Sequence, residues 1–356
     1  MENKILLLSF SVLLLSCMKD ADLLQTTIEV ESDIICNDLI IDSVEHIQLR
    51  TTDEFLIGEV SDVKKWNNCW YVLDNKFKNA ICVFKNDGTP LYVYNNIGRG
   101  PGEYIKINDF DVDGKTGNVC VLTEGGRLIL LDSTLSFIKE IDTENYSYTR
   151  VAWFADGILF FDYNKSAVDH MDLSTDDINR VFATYKDAYN VFNHEPVFHS
   201  YKDRMFFHTE TDDNIYEITS ELDFKPILQL NYKHKSKAQR FYRNNIGDNL
   251  SIEDNMRLVR PKINFILPLN SSYTLGYTFL ISKIHCIDEA GIVDGILQTF
   301  GTIFEEGNII GTLSANNYNP EDLKKIYDGI KVNYIPVNDE NKQNANPILL
   351  VHHLRE

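Results

Sequence analysis

Positive charge is scarce in this chain: 34 Lys plus Arg stand against 53 Asp plus Glu, a formal charge of −19 over 356 residues. Without a basic footprint, a general nucleic-acid binder is excluded. Long apolar runs are missing too. The most apolar stretch, Ile5 to Leu15, is about eleven residues, against the roughly 20 that a permanent membrane helix needs. Beyond Cys17 the chain holds five cysteines, an odd count with no Cys-x-x-Cys spacing, which gives neither a zinc pattern nor a disulfide framework. No Gly-x-Ser-x-Gly elbow is present, so a serine hydrolase has no support. Helical periodicity is rare. What remains is ordinary globular composition, 44% hydrophobic and 24% charged, with 20 Phe and 18 Tyr. Aromatic side chains fit a pleated, half-buried surface, so the balance tilts towards strands.

The start of the chain reads as an address. Lys4 supplies a short positive region, and the apolar run behind it has the length of a secretory signal core. The run ends in Leu14-Leu15-Ser16-Cys17, which resembles a bacterial lipoprotein box, with Leu15 in place of the usual small residue. That resemblance implies cleavage before Cys17 and lipidation of its thiol and new amine. Several acyl chains on one terminus make anchoring durable, because each buried methylene adds about 0.8 kcal/mol. An ordinary secretory signal with a coincidental cysteine is the alternative. Behind the cysteine, Met18-Lys19-Asp20-Ala21-Asp22 resembles the surface-export signal of Bacteroidetes lipoproteins, or else is a plain solvated linker. The expected organisation is a signal peptide over 1–16, a lipid-anchored linker over 17–40 and one folded domain over 41–356.

Within that domain, short strand pairs recur. Their starts fall near 70, 119, 158, 205, 273 and 308, with a mean interval of about 48 residues, in the range of a four-stranded propeller blade of roughly 40–50. One blade cannot cover its own faces, but packed radially on neighbours it can. The spacing predicts an all-β, six-bladed propeller with short helical insertions. An early strand at Val44–Leu49 and a final one at Ile348–Val351 lie outside the hairpins, so the last blade is expected to be closed by both chain ends, removing free sheet edges. Asn319 followed by Pro320 starts a helix between them.

Asn96-Ile97-Gly98-Arg99-Gly100-Pro101-Gly102-Glu103-Tyr104, with Asp109-Phe110-Asp111-Val112-Asp113 close behind, resembles the signature of six-bladed β-propeller lipoproteins of Bacteroidetes, distant relatives of NHL-repeat propellers. The likeness extends to Tyr71–Asp74, Val83–Gly88, Asp213–Glu217 and Asn346–Leu350. It implies a fold and an envelope address but no settled activity. Physically, Gly98, Gly100 and Gly102 free the backbone for positive φ and Pro101 stiffens the middle, which suits a crossing between blades. The trio lacks the Gly-Lys-Ser/Thr ending of a phosphate loop, so a structural turn is the better reading. Arg99 and Glu103 are placed to pair across it.

Candidates for chemistry are few. His194 and His199 are five apart, and Pro196 denies them one helix face. Asp111-Val112-Asp113-Gly114 resembles the opening of a calcium loop without its later ligands. His352 and His353 point to opposite faces of a strand. Cys82 and Cys120, inside strand-like runs, read as small buried apolar residues. One stretch departs from the acidic body: 233–262 holds eight Lys or Arg against three acids. With Arg240, Tyr242 and Arg243 it is the candidate ligand lip, or else a solvated excursion. No catalytic residue, metal or cofactor is assigned. The expectation is a monomeric, lipid-anchored outer-membrane module that faces the cell surface or the periplasm. It binds the membrane through its lipid and a glycan or protein partner, and no nucleic acid. An envelope hydrolase or lyase at the channel mouth is the alternative.

Overall fold

Apolar runs punctuated by Asn and Gly turns fold, in a computed structural model, into antiparallel meanders. Described are residues 26–30, 41–184, 196–232 (save 202, 210, 211 and 213), 262–269, 272–278, 303–335 (save 306, 307 and 328) and 345–354. Two early strands, β1 (Thr26–Val30) and β2 (Ile41–Gln48), precede the regular pattern. The first blade is β3 (Asp62–Trp66), β4 (Cys69–Asp74), β5 (Ala80–Lys85) and β6 (Pro90–Tyr94). The second is β7 (Ile107–Val112), β8 (Val119–Thr123), β9 (Arg127–Leu131) and β10 (Phe137–Asp142). The third is β11 (Tyr148–Phe154), β12 (Gly157–Asp162), β13 (Ala167–Asp172) and β14 (Ile178–Ala183). The fourth is β15 (Phe198–Tyr201), β16 (Arg204–Phe207), β17 (Asn214–Ile218) and β18 (Phe224–Tyr232). A fifth sheet pairs β19 (Lys262–Leu269) with β20 (Ser272–Thr278). The sixth holds β21 (Ile303–Glu305), β22 (Asn308–Leu313), β23 (Lys331–Asn333) and β24 (Ile348–Leu354) together with β2.

The first strand of each sheet lies beside the first strand of the next, from β3 through β7, β11, β15, β19 and β21 and back to β3. That closed ring makes the molecule a β-propeller. Its core is a set of layers between blades. In β4, Trp70 and Val72 face β22 and β24 (Ile310, Leu349, Val351), while Tyr71 and Leu73 face the second blade (Phe110, Val121). Strands covered on both faces read as unbroken apolar runs rather than alternating ones. Cys82 and Cys120 sit fully buried in these layers. Burial pushes the Cys82 thiol up to about 12 and holds Cys120 well above its ordinary range, so neither is a thiolate at neutral pH.

In the sixth blade β24 runs antiparallel between β22 and β2, with registers Ile310↔Val351 and Glu45↔Val351. The two chain ends thus share one sheet. Asn346, fully buried, ties the seam to the first blade. Its Oδ1 accepts from Ile57 N (2.8 Å), its Nδ2 donates to Arg50 O (3.3 Å), and its backbone N–H donates to Thr51 Oγ1 (2.7 Å). Between β22 and β24 lies α1 (Pro320–Ile326), where Asn319 Oδ1 accepts from Glu321 N at 3.2 Å. Its Leu323 packs with Val44, Leu313 and Leu350.

One stretch departs from expectation. Residues 26–30, assigned to the linker, form β1 and add parallel to β18, from Thr26↔Leu228 to Val30↔Tyr232. Four of the five residues are β-branched, and among the described residues β18 would otherwise end its sheet as an edge strand.

Candidate binding site at the channel mouth

The face of the propeller where β3, β7 and β11 begin is organised by carboxylates at the ends of second strands. Asp74, closing β4 and fully buried, accepts four backbone N–H groups: Gly58 (2.8 Å), Glu59 (3.3 Å), Lys76 (3.1 Å) and Phe77 (2.8 Å). It thereby holds the connection into β3 against the β4–β5 turn. Asp162 does the same two blades on, accepting from Asn145 Nδ2 (3.1 Å), Ser147 Oγ (2.6 Å) and Lys165 N (3.1 Å). Between these supports opens a cavity of about 1180 Å³, lined by Asn75, Lys106, Asn108 and Glu124 at the rim and by Asp62, Lys64, Asp109, Asp111 and Arg150 below.

The deeper group joins neighbouring blades. Asp109 and Asp111, two apart on β7, direct their carboxylates to the next inner strand. Asp109 Oδ2 accepts from Val151 N at 2.9 Å and Asp111 Oδ2 from Trp153 N at 2.7 Å. Glu305 on β21 accepts from Lys65 N at 3.0 Å, closing the ring. Lys64 stands among them, 3.7 Å from Asp62 and 3.8 Å from Asp111. Burial works to lower its pKa, but the fields of Asp62, Asp111, Glu305 and Asp109 outweigh it, and Lys64 stays charged. Burial pushes Asp109 up to about 7 against Arg150, and Glu305 up to about 8 against Lys64. Asp111 is raised by the same cause. Four carboxyls crowd two cations, so protons are retained in the cluster near neutral pH.

Over residues 24–264 the chain matches the model of a family described as a 6-bladed beta-propeller. The chain belongs to that family. Among solved structures, a Bacteroides fragilis protein described as exported is similar over 93% of this chain and 99% of its own, with a TM-score of 0.67 at 17% identity. Streptogramin B lyase reaches a TM-score of 0.42 at 11% identity over 67% of each chain. BamB from Moraxella catarrhalis reaches 0.36 at 10% identity, over 67% of this chain and 58% of its own. No curated protein matches the chain.

For this six-bladed propeller, the residues singled out in the sequence are distributed as follows. The stretch Gly98–Tyr104 lies between β6 and β7, where Ile97 and Tyr104 form an isolated bridge. Gly102 has φ +68°, and a Cβ there would meet the Phe137 ring at 2.6 Å. Tyr104, fully buried, donates from its hydroxyl to Asn79 O at 2.7 Å. Glu103 does not pair with Arg99. Its Oε2 accepts from Gly100 N at 2.7 Å, because the turn brings that N–H closer than the guanidinium. Asp111 and Asp113 part company: the former faces the next inner strand, and the latter caps its own turn at Lys115 N (3.1 Å). His352 is buried against the Tyr327 hydroxyl (2.8 Å) and His353 meets Asn308 Oδ1 (2.7 Å), on opposite faces. His199 is buried on β15, while His194 lies outside the described residues, as do Cys17 and the lip residues Arg240, Tyr242 and Arg243. Among the described residues no group of three or more His, Cys, Asp or Glu is placed to hold a metal ion. Sequence reasoning did not single out Asp62, Lys64, Arg150 or Glu305. The available signal was charge on alternate residues of a first strand, as in Asp62-Val63-Lys64 and Asp109-Phe110-Asp111.

Proposed function

We propose that this propeller is exported, lipidated at Cys17, held at the outer membrane, and binds a ligand at its channel mouth without transforming it. The observation carrying the non-catalytic part is the state of the buried acids. Asp109, Asp111 and Glu305 are each hydrogen-bonded to a backbone N–H of the adjoining blade, and Lys64 stands between Asp62 and Asp111. A general acid or base must reach the reacting proton, and groups bonded to the frame are structural first. The mouth above them is pre-formed by Asp74 and Asp162, as binding sites usually are. The address rests on Lys4, the apolar run and Leu14–Cys17. Among the described residues no helix is long and apolar enough to cross a membrane. Kinship with NHL-type envelope propellers fits the same motif-bearing residues.

A second reading, an envelope hydrolase or lyase, draws on Asp109 and Glu305, whose pKa values of about 7 and about 8 suit proton transfer. One experiment separates the two. The purified protein is incubated with oligosaccharide and peptide pools from envelope material, and retained and released species are weighed by mass spectrometry. Retention with unchanged masses supports the binding module. New product masses that disappear in Asp109→Asn support the enzyme and overturn it.

A further inference from the structure

The first strand of the chain does not join the blade that its successor builds. β2 lies in the sixth blade, yet β1 pairs with β18, the outer strand of the fourth. The pairing is parallel and continuous over five residues, from Thr26↔Leu228 to Val30↔Tyr232. On its other side β18 pairs with β17 only as far as Asn214↔Gln229. Among the described residues, Leu230 to Tyr232 therefore have β1 as their strand partner. The sixth blade carries a fifth strand of the same kind, β23 parallel to β2 from Ser43↔Lys331 to Glu45↔Asn333. An outer edge that accepts one more strand is thus a recurring joint of this fold, and at the fourth blade it holds the N-terminal segment.

The consequence is one of reach. Eight residues separate Cys17 from Thr26. An extended chain spans at most ~3.3–3.6 Å per residue, so a lipid on Cys17 lies within about 30 Å of the fourth blade's edge. A folded unit of this size is about 50 Å across, and in the ring of six the first blade stands opposite the fourth. A leash shorter than the molecule does not let the opposite rim turn to the bilayer. Without β1 the first fixed point would be Ile41, 24 positions from Cys17. The leash would then reach about 80 Å, and it would enter at the sixth blade, next to the first. Docking of β1 therefore changes both the length of the tether and the side from which it pulls.

We infer that β1 orients the anchored propeller: it fixes the lipid tether to the outer edge of the fourth blade, so that this edge faces the bilayer surface and the first blade points away from it. This inference rests on lipidation at Cys17 and specifies which side of the ring meets the lipid. The mouth residues Asn75, Lys106 and Glu124 belong to the first two blades. The tether thus leaves that part of the mouth open to ligands arriving from solution.

The test uses the full-length protein purified from cell membranes and reconstituted in vesicles of phosphatidylethanolamine and phosphatidylglycerol that carry a rhodamine lipid. A donor dye is attached through a single azido amino acid at Lys225, exposed on β18, or at Lys85, exposed at the end of β5. Energy transfer to the bilayer from position 225 is expected to be at least twice that from position 85. Thr27→Pro combined with Ile28→Pro removes two successive N–H groups, so whichever of the alternating donors faces β18 is lost. In that variant the ratio should fall to one or below, because the tether then enters at the sixth blade. Should the two prolines unfold the fourth blade, a thirty-residue Gly/Ser insertion between Ala21 and Asp22 lengthens the leash with β1 intact, and it should lower the ratio in the same way. Equal transfer from both positions in the unaltered protein overturns the orientation and keeps the anchor. A ratio that survives both variants overturns the role of β1. Protein that fails to float with the vesicles overturns the anchor, and the inference falls with it.

Discussion

Asp109 and Glu305 carry a titration into the walls between blades. Their folded pKa values, about 7 and about 8, lie above the ordinary carboxyl values of 3.8 and 4.5. The folded state therefore holds protons that the unfolded chain has released. The contribution is fully present at low pH and is lost as pH rises through the folded values. His46 acts in the opposite sense at the acid end. Burial lowers it to about 4, so stability grows as pH rises from there towards 6.5. The two carboxyls should therefore lower thermal stability progressively between about pH 4 and 8, with no further loss from them above that. Asp109→Asn keeps an acceptor for Val151 N and removes the charge. It should raise Tm at pH 8 by about 2–4 °C, with little change at pH 4, where the carboxyl is protonated in the folded chain and half protonated in the unfolded one. Differential scanning calorimetry at both values measures this, and a lower Tm than native at pH 8 would refute the assignment. Asn346 is a second residue whose loss is felt widely. Asn346→Ala strands Ile57 N and two carbonyls away from water, a cost of about 2–4 kcal/mol by urea unfolding. A change under 1 kcal/mol would show the seam relaxing without it.

At the scale of elements, the seam decides whether the ring is closed. Among the described residues β24 is the strand that joins β22 to β2, so removing residues 346–356 leaves two edges and an open sheet. Circular dichroism of that truncation should show a lower, broadened melt, and an unchanged curve would mean the seam contributes nothing. The middle strands were legible beforehand because burial on both faces leaves an unbroken apolar signature, as in Tyr71-Val72-Leu73. The closing strand was legible because β2 and β24 stood outside the hairpin count. β1 was not. Its five residues make a strand only against β18, some 200 positions away, and no local pattern announces such a partner. Asn319 with Pro320 marked α1 in advance, since capping is a local interaction.

At the scale of the whole molecule, attachment is the property to test. Cys17→Ala should abolish metabolic labelling by a fatty acid and move the protein from membrane to soluble fractions. Persistent labelling would remove the anchor from the proposal. Local order along the chain was sufficient to specify a ring of β-sheet units and the joining of its ends. Each of these depends on periodicity, turn chemistry or a contiguous run. The site was decided elsewhere. Asp62, Lys64, Asp109, Asp111, Arg150 and Glu305 come from four inner strands, and nothing in their own neighbourhoods says that they meet. Which inner strand lies beside which, and at what register, is set by the packing of whole blades around the ring.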